Sequence, residues 1–307
     1  TDYGRKCNLG KKPDDLLDVL TDMAIASPAI VINRTYQTYC KKGESFPSFL
    51  PSQIAKIFIN RMNTAESTAT VELACGKKSD DAHWQNLLTY CKQGNLQAMF
   101  DEYAHLITNG FDADNNLVGN LHHSIATSMD VRTTIYTVDT FNSFKARANA
   151  GKEKATALRS HFAVAFTKGD GKEKDADRKK VIRNAFNSPF RPFVLASTSI
   201  GQEGLDFHNY CRRIVHWNLP SNPIDLEQRE GRINRFECLA IRQNIAKRYG
   251  TVSFKKNIWK EMFDEAAKVE NGGEGSDLIP FWGLTEKEDM VRIERIVPMY
   301  PFSRDEL

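Results

Sequence analysis

Near residue 131 the hydrophobic period of this chain changes from that of helices to that of strands alternating with helices. Upstream, apolar residues recur at helical spacing in five stripes. These are Leu16, Leu17, Leu20, Met23 and Ala24; Ile30 to Tyr39; Ile54, Ile57, Phe58 and Met62; Trp84, Leu87, Leu88 and Cys91; and Leu96, Met99, Phe100, Tyr103 and Leu106. Asp14 or Asp15 can cap the first stripe, Ser27-Pro28 separates it from the second, and Gly110 can stop the last. Short polar breaks between them suit a helical bundle with every stripe turned into its core.

Downstream, Thr133–Val138, Phe162–Phe166, Arg191–Ser197 and Arg213–Trp217 read as strands, while Val181, Ile182, Ala185 and Phe186 keep helical spacing. Such alternation predicts parallel βαβ units and an open α/β sheet. Lys168–Lys180 mixes charge signs and reads as a solvated loop and helix start. The chain is expected to turn irregular after residue 262, with Gly272–Gly275 as a linker. The expected organisation is a helical domain over 1–130, an α/β domain over 131–262, and a linker and C-terminal extension over 263–307.

A length of 307 residues suits two domains. The 42 Lys and Arg side chains against 39 Asp and Glu leave a net charge of +3, which excludes a wholly basic nucleic-acid module but leaves room for a local basic groove. No apolar run approaches the length of a membrane-spanning helix, so no membrane contact is expected. The six cysteines include no Cys-x-x-Cys pair, which argues against a zinc ribbon and reads as reduced thiols in a cytoplasmic protein. No signal peptide opens the chain at Thr1, and Arg304–Leu307 reads as the point where a longer protein was cut. No metal site is expected. Asp112–Asn116 begins like a calcium loop, but Leu117 replaces the turn glycine and His123 the bidentate Glu. His122 and His123 are adjacent and cannot share a helical face.

Two blocks carry chemistry. The first, STSIGQEGLDFH from Ser197 to His208, follows the apolar run Phe193–Ala196 and so falls at the carboxyl end of an expected strand, where open α/β sheets bind ligands. Thr198 and Ser199 can donate to phosphate oxygens, and Gly201 and Gly204 permit close backbone approach. The second, LPSNPIDLEQREGRINRF from Leu219 to Phe236, opens with Asn222 as N-cap and Pro223 in the first helical turn. The helix is expected to run through the block, where Gln228, Arg232 and Arg235 fall at i, i+4 and i+7 within roughly a 60° arc and share one free face, with Leu226 and Ile233 opposite. Two guanidinium groups so close repel unless an anion lies between them, and a triphosphate suits their planar, bidentate geometry. The alternative is a solvated helix with Glu227 and Glu230 as internal partners.

Together, in this order and separated by a strand, the blocks resemble motifs V and VI of superfamily-2 helicases. Phe193–Phe236 looks most like the Swi/Snf-type branch and is similar to the bacterial RNA-polymerase-associated ATPase in its I-G-x-E-G, L-P-x-N-P and L-E-Q-R-x-G-R-x-x-R elements. The resemblance implies a RecA-like open parallel sheet with flanking helices, the second lobe of an ATP-dependent nucleic-acid helicase or translocase. It implies that Arg232 and Arg235 are arginine fingers for the γ-phosphate, that Gln228 lies at the nucleotide, and that Gly204 and Asp206 lie near the ATP ribose. Thr198, Ser199 and Gly201 would meet the nucleic-acid backbone, with DNA favoured over RNA. Phe236-Glu237-Cys238 departs from the Ile-Gly-Gln usual in that branch, and Asp206 replaces its Asn. No Gly-x-x-x-x-Gly-Lys-Ser/Thr loop and no acidic Mg²⁺ motif occurs, so ATP and Mg²⁺ are expected to be held by an N-terminal RecA-like lobe outside these residues. A helicase-like scaffold or nucleic-acid-binding module without enzymatic activity is the other reading.

Overall fold

The computed structural model describes residues 11–76, 82–109, 116–129, 134–138, 140–150, 156–160, 173–190, 192–196, 206–270 and 278–298. The chain divides into two compact units, Thr1–His123 and Ser124–Leu307.

The first unit is helical: α1 (Leu16–Ala26), α2 (Pro28–Tyr39), α3 (Phe49–Met62), α4 (Ala65–Cys75), α5 (His83–Gln93) and α6 (Leu96–Thr108). A further helix, α7 (Leu117–Met129), runs across the division. Ser27 is extended and donates its N–H to Met23 O to close α1, and Pro28, which has no N–H to lose, starts α2. Thr64 and Asn95 cap α4 and α6 by accepting from the Ser67 and Ala98 amides. The core forms where α2 packs on α3 and α6, burying Val31, Ile32, Tyr36, Ile54, Phe58, Phe100 and Ala104. Within it Thr35 donates to Asp101 Oδ1 at 2.7 Å, and Gln97 Nε2 donates to both partners at 3.0 and 2.9 Å. Burial pushes the Asp101 carboxyl pKa up, against the lowering effect of those hydrogen bonds.

Not every stripe is core. Leu17, Leu20 and Met23 of α1 are exposed, as is Trp84 of α5. The α1 helix is apolar around most of its circumference, and only one side of it faces α5 and α2. Contrary to expectation, Leu16–Tyr39 is long and apolar enough to cross a membrane by length and composition. Its second half is nonetheless built into the bundle through Val31, Ile32, Thr35 and Tyr36. The Gly110 stop lies outside the described residues, and Asn109 ends α6.

In the second unit, β1 (Thr134–Val138) pairs antiparallel with β2 (Thr156–Ser160), with Thr134 opposite Ser160 and Val138 opposite Thr156. The parallel βαβ unit expected here is therefore not formed. The intervening helix α8 (Phe141–Ala150) leaves Phe141 and Phe144 exposed, whereas a crossover helix must bury its apolar face on the sheet. Parallel pairing among the described residues joins β3 (Arg213–Val215) to β4 (Glu294–Ile296), with Val215 opposite Ile296. The α/β class is present at this coarse level, and the described residues form two two-stranded sheets. The strand expected over Phe162–Phe166 lies outside the described residues. Phe193–Ala196 forms no strand among the described residues, and Phe193 and Val194 are exposed.

Helices α9 (Glu173–Phe186), α10 (Pro223–Glu230), α11 (Leu239–Tyr249) and α12 (Ile258–Glu270) complete the unit. The irregular chain expected after residue 262 is instead helical through the end of α12, the Gly272–Gly275 linker lies outside the described residues, and residues 278–298 pack on α11 and α12. Phe281 stacks between Phe236 and Phe263, with centroids 5.2 and 5.4 Å away. Phe281, Leu284, Val291 and Ile293 cover the buried cluster of Ile241, Ile245, Trp259, Met262 and Phe263.

Two buried charges stiffen this core. Arg242 is fully buried and donates to Glu237 O at 2.6 Å and to Asn209 O, with its guanidinium 5.4 Å from the Tyr210 ring centre. Glu270 accepts from Arg248 Nη1 at 2.7 Å, Tyr249 Oη at 2.8 Å and the Thr285 amide at 3.1 Å. Burial raises its pKa, but these donors outweigh burial and hold the carboxyl at about 2.

Replacing Arg242 by Met is expected to destabilise this unit by about 3 kcal/mol, because two buried carbonyls lose a charged donor. Chemical denaturation measures the loss. For Glu270, folding lowers the carboxyl pKa, so its stabilisation is complete above the unfolded value of 4.5 and is lost as pH falls towards about 2. The shift is worth on the order of 3 kcal/mol. Denaturation of Glu270→Gln at several pH values is expected to show the wild-type advantage near neutrality and its disappearance at pH 2.

Candidate functional site

Helix α10 begins as its sequence demands: Asn222 Oδ1 accepts the Ile224 amide at 3.0 Å, Pro223 occupies the first turn and Asp225 follows. It ends at Glu230, earlier than a helix through the whole block would. The Gly231 N–H still reaches Glu227 O at 2.8 Å. Beyond it the ladder mixes steps, with the Arg232 and Ile233 amides three residues back on Arg229 O and Glu230 O at 3.2 and 3.1 Å and the Asn234 amide four back on Glu230 O at 3.2 Å. Gln228, Arg232 and Arg235 therefore do not share one helical face. Gln228 is exposed on α10, whereas Arg232 and Arg235 lie on the turns that follow it.

The cause is tertiary. Ile233 is buried against Phe186 and Phe207, whose rings meet edge to face at 5.6 Å. The Arg232 carbonyl accepts the Phe207 N–H at 3.0 Å, a partner supplied by the loop from the first chemical block rather than by the helix. Leu226, expected on the same buried side as Ile233, is half-buried.

That hydrogen bond brings the two blocks side by side. Arg235 Nη2 lies 3.2 Å from Asp206 Oδ1, and the side chains of the pair are 43% and 53% exposed. An ion pair this open contributes little stability and can rearrange when a ligand enters. Asn187, just past α9, donates Nδ2 to the Asp206 carbonyl at 2.7 Å and fixes the loop. Arg235 Nε is buried without a hydrogen-bond partner, as is His208 Nδ1. The His208 pKa is lowered by burial, raised by Asp206, and lowered again by Arg242 and Arg235. The part-exposed Arg235 guanidinium beside the exposed Asp206 carboxylate pairs a donor that fits a phosphate oxygen with an acceptor that fits a ribose hydroxyl. Among the described residues no group of three or more His, Cys, Asp and Glu side chains could hold a metal ion.

Of the residues singled out in the sequence, Asp206 and Arg235 are in contact and Arg232 is joined to them through the backbone. Gln228 is exposed on α10. Thr198, Ser199, Gly201 and Gly204 lie outside the described residues. Sequence reasoning missed Asn187, His216 and Arg295, and with the last two the partners of Glu230. Glu230 Oε2 sits 2.6 Å from Arg295 Nη2, and Oε1 lies 3.5 Å from His216 Nε2. These partners stand far apart along the chain and belong to no motif, so no local signal announces them. Glu230 is thus engaged by Arg295 of β4 and by His216, just past β3, rather than serving as an internal partner of its helix.

Comparison with known proteins adds one finding. Residues 118–237 match the family model described as the helicase conserved C-terminal domain. No curated protein matches the chain, and no solved structure does. The matched stretch, less than half of the chain, runs from α7 to Glu237 and includes both chemical blocks. It implies a RecA-like fold for that stretch. Residues 118–237 are accordingly similar to the C-terminal lobe of helicases.

Proposed function

We propose that this chain supplies the C-terminal lobe of an ATP-driven nucleic-acid motor of the Swi/Snf type, acting in the cytoplasm on DNA in preference to RNA. The observation that carries the reading is the seating of the Arg232–Arg235 turn against Asp206 inside the stretch similar to a helicase C-terminal domain. ATP and Mg²⁺ are held by an N-terminal lobe, since these residues contain no phosphate loop. When bound there, the nucleotide supplies the phosphoryl bond whose cleavage drives the cycle. Arg232 and Arg235 reach its γ-phosphate as the lobes close, Asp206 accepts from the ribose, and Gln228 hydrogen-bonds at the same cleft. Thr198, Ser199 and Gly201 contact the nucleic-acid backbone, a mode that carries little sequence preference and a steep salt dependence. Closing and opening of the lobes then advances the protein along the strand.

The Asp206–Arg235 pair has a part in this cycle. With no nucleotide between the lobes, Asp206 neutralises a guanidinium that would otherwise stand half-buried. A triphosphate, carrying more charge than one carboxylate, competes for it.

In the protein carrying both lobes, Arg232→Ala is expected to lower nucleic-acid-stimulated ATP turnover by roughly 10³- to 10⁵-fold. Nucleic-acid affinity at fixed salt is expected to stay the same. Unchanged turnover would remove Arg232 from the site and leave the scaffold reading. The 307 residues by themselves are expected to release no phosphate above background in a coupled assay, because arginine fingers act on a nucleotide another lobe must hold. Robust turnover by this chain alone would refute the division of labour.

A further inference from the structure

Glu230 stands at the junction between α10 and the arginine turn, and it is tied from both ends. Its carbonyl accepts the Ile233 and Asn234 amides at 3.1 and 3.2 Å, so the turn is wound on it directly. Its carboxylate meets the parallel strand pair. Arg295 of β4 lies 2.6 Å away, and His216, just past β3, lies 3.5 Å away. His216 in turn donates its N–H to Ile296 O at 2.8 Å, so both side chains facing Glu230 belong to one hydrogen-bonded unit. Beside it, Arg229 Nη1 reaches Asn218 O at 2.9 Å in the segment between β3 and α10.

We propose that Glu230, clamped by Arg295, is a positioning residue that sets the Gly231–Arg235 turn against the β3–β4 pair and so aims Arg232 and Arg235. This inference rests on the motor reading above and deepens it. The clamp spans 65 residues of chain and makes the segment around β4 a working part of the nucleotide site. Exposed ion pairs are worth little when both partners are free in solvent. Here the partners are unequal: the Glu230 side chain is 18% exposed and that of Arg295 63%. Removing Arg295 leaves a largely buried carboxylate next to a buried imidazole, with Glu230 Oε1 and His216 Nε2 already lacking hydrogen bonds. The carboxylate then has reason to turn outward and draw the turn wound on its carbonyl with it. Arg295, mostly exposed, can be changed without opening the core.

The test uses the protein carrying both lobes and compares binding of ADP with that of ADP–aluminium fluoride, which mimics the phosphoryl group in transfer. Arg295→Gln is expected to weaken the analogue by roughly 10- to 100-fold, the cost of a small misplacement at a reacting centre. ADP affinity is expected to stay unchanged while the thermal midpoint falls modestly, and Arg295→Lys to restore most of both losses. A general structural lesion would instead weaken both ligands alike. Arg232→Ala is the reference. If it abolishes analogue binding while Arg295→Gln weakens both ligands alike or neither, the clamp does not position the turn. If Arg232→Ala leaves analogue binding intact, the motor reading falls and the clamp's role falls with it.

Discussion

A single backbone hydrogen bond, from the Phe207 amide to the Arg232 carbonyl, organises the candidate site. It takes the carbonyl of Arg232 for the neighbouring loop, while Ile233 drops between Phe186 and Phe207. Neither could happen if α10 continued, because a continuing helix would reserve that carbonyl for its own ladder. Stopping the helix gives up a turn of helical bonding and gains apolar burial plus a loop-to-turn contact. The site follows from this exchange: Asp206 precedes the donating Phe207, Arg235 follows the accepting Arg232, and the two side chains meet.

The Phe236-Glu237 step after Arg235 has a packing use. Phe236 stacks on Phe281, which stacks on Phe263, so the residue beyond the last arginine docks the returning C-terminal segment. Glu237 then takes a left-handed conformation, φ 48°, and donates its amide to Phe281 O at 2.8 Å. Its carbonyl accepts from the buried Arg242, which also holds Asn209 in the loop after His208. One guanidinium thereby joins both sides of the site, and the aromatic stack ties them to the segment that ends in β4. These contacts are mutually dependent, since each buried donor is satisfied by a carbonyl held in place by another.

The helical unit was legible from periodicity wherever one face alone was apolar. Ser27-Pro28 marked the boundary between α1 and α2 for a local reason, the missing proline amide. Periodicity did not tell which side of α1 would be covered, because apolar residues surround it and only contact with α5 and α2 selects a face. It was weaker still for sheets. Thr134–Val138 forms a strand, but whether its partner returns parallel or antiparallel depends on where α8 packs, which no residue within the strand encodes. Phe193–Ala196 has strand composition and, among the described residues, no ladder partner, and composition cannot supply one.

Local chemistry by itself determined the start of α10, the identity of the residues around the site and the likeness to motifs V and VI. An N-cap, a proline in the first turn and paired arginines act over a few residues, so they are written in adjacent letters. The tertiary structure decided where α10 stops, which arginine meets Asp206, and that Glu230 answers to Arg295 and His216. Those outcomes are settled by competition for a carbonyl, a hydrophobic pocket and a carboxylate between groups distant in sequence, and such a competition has a result only once the chain has folded.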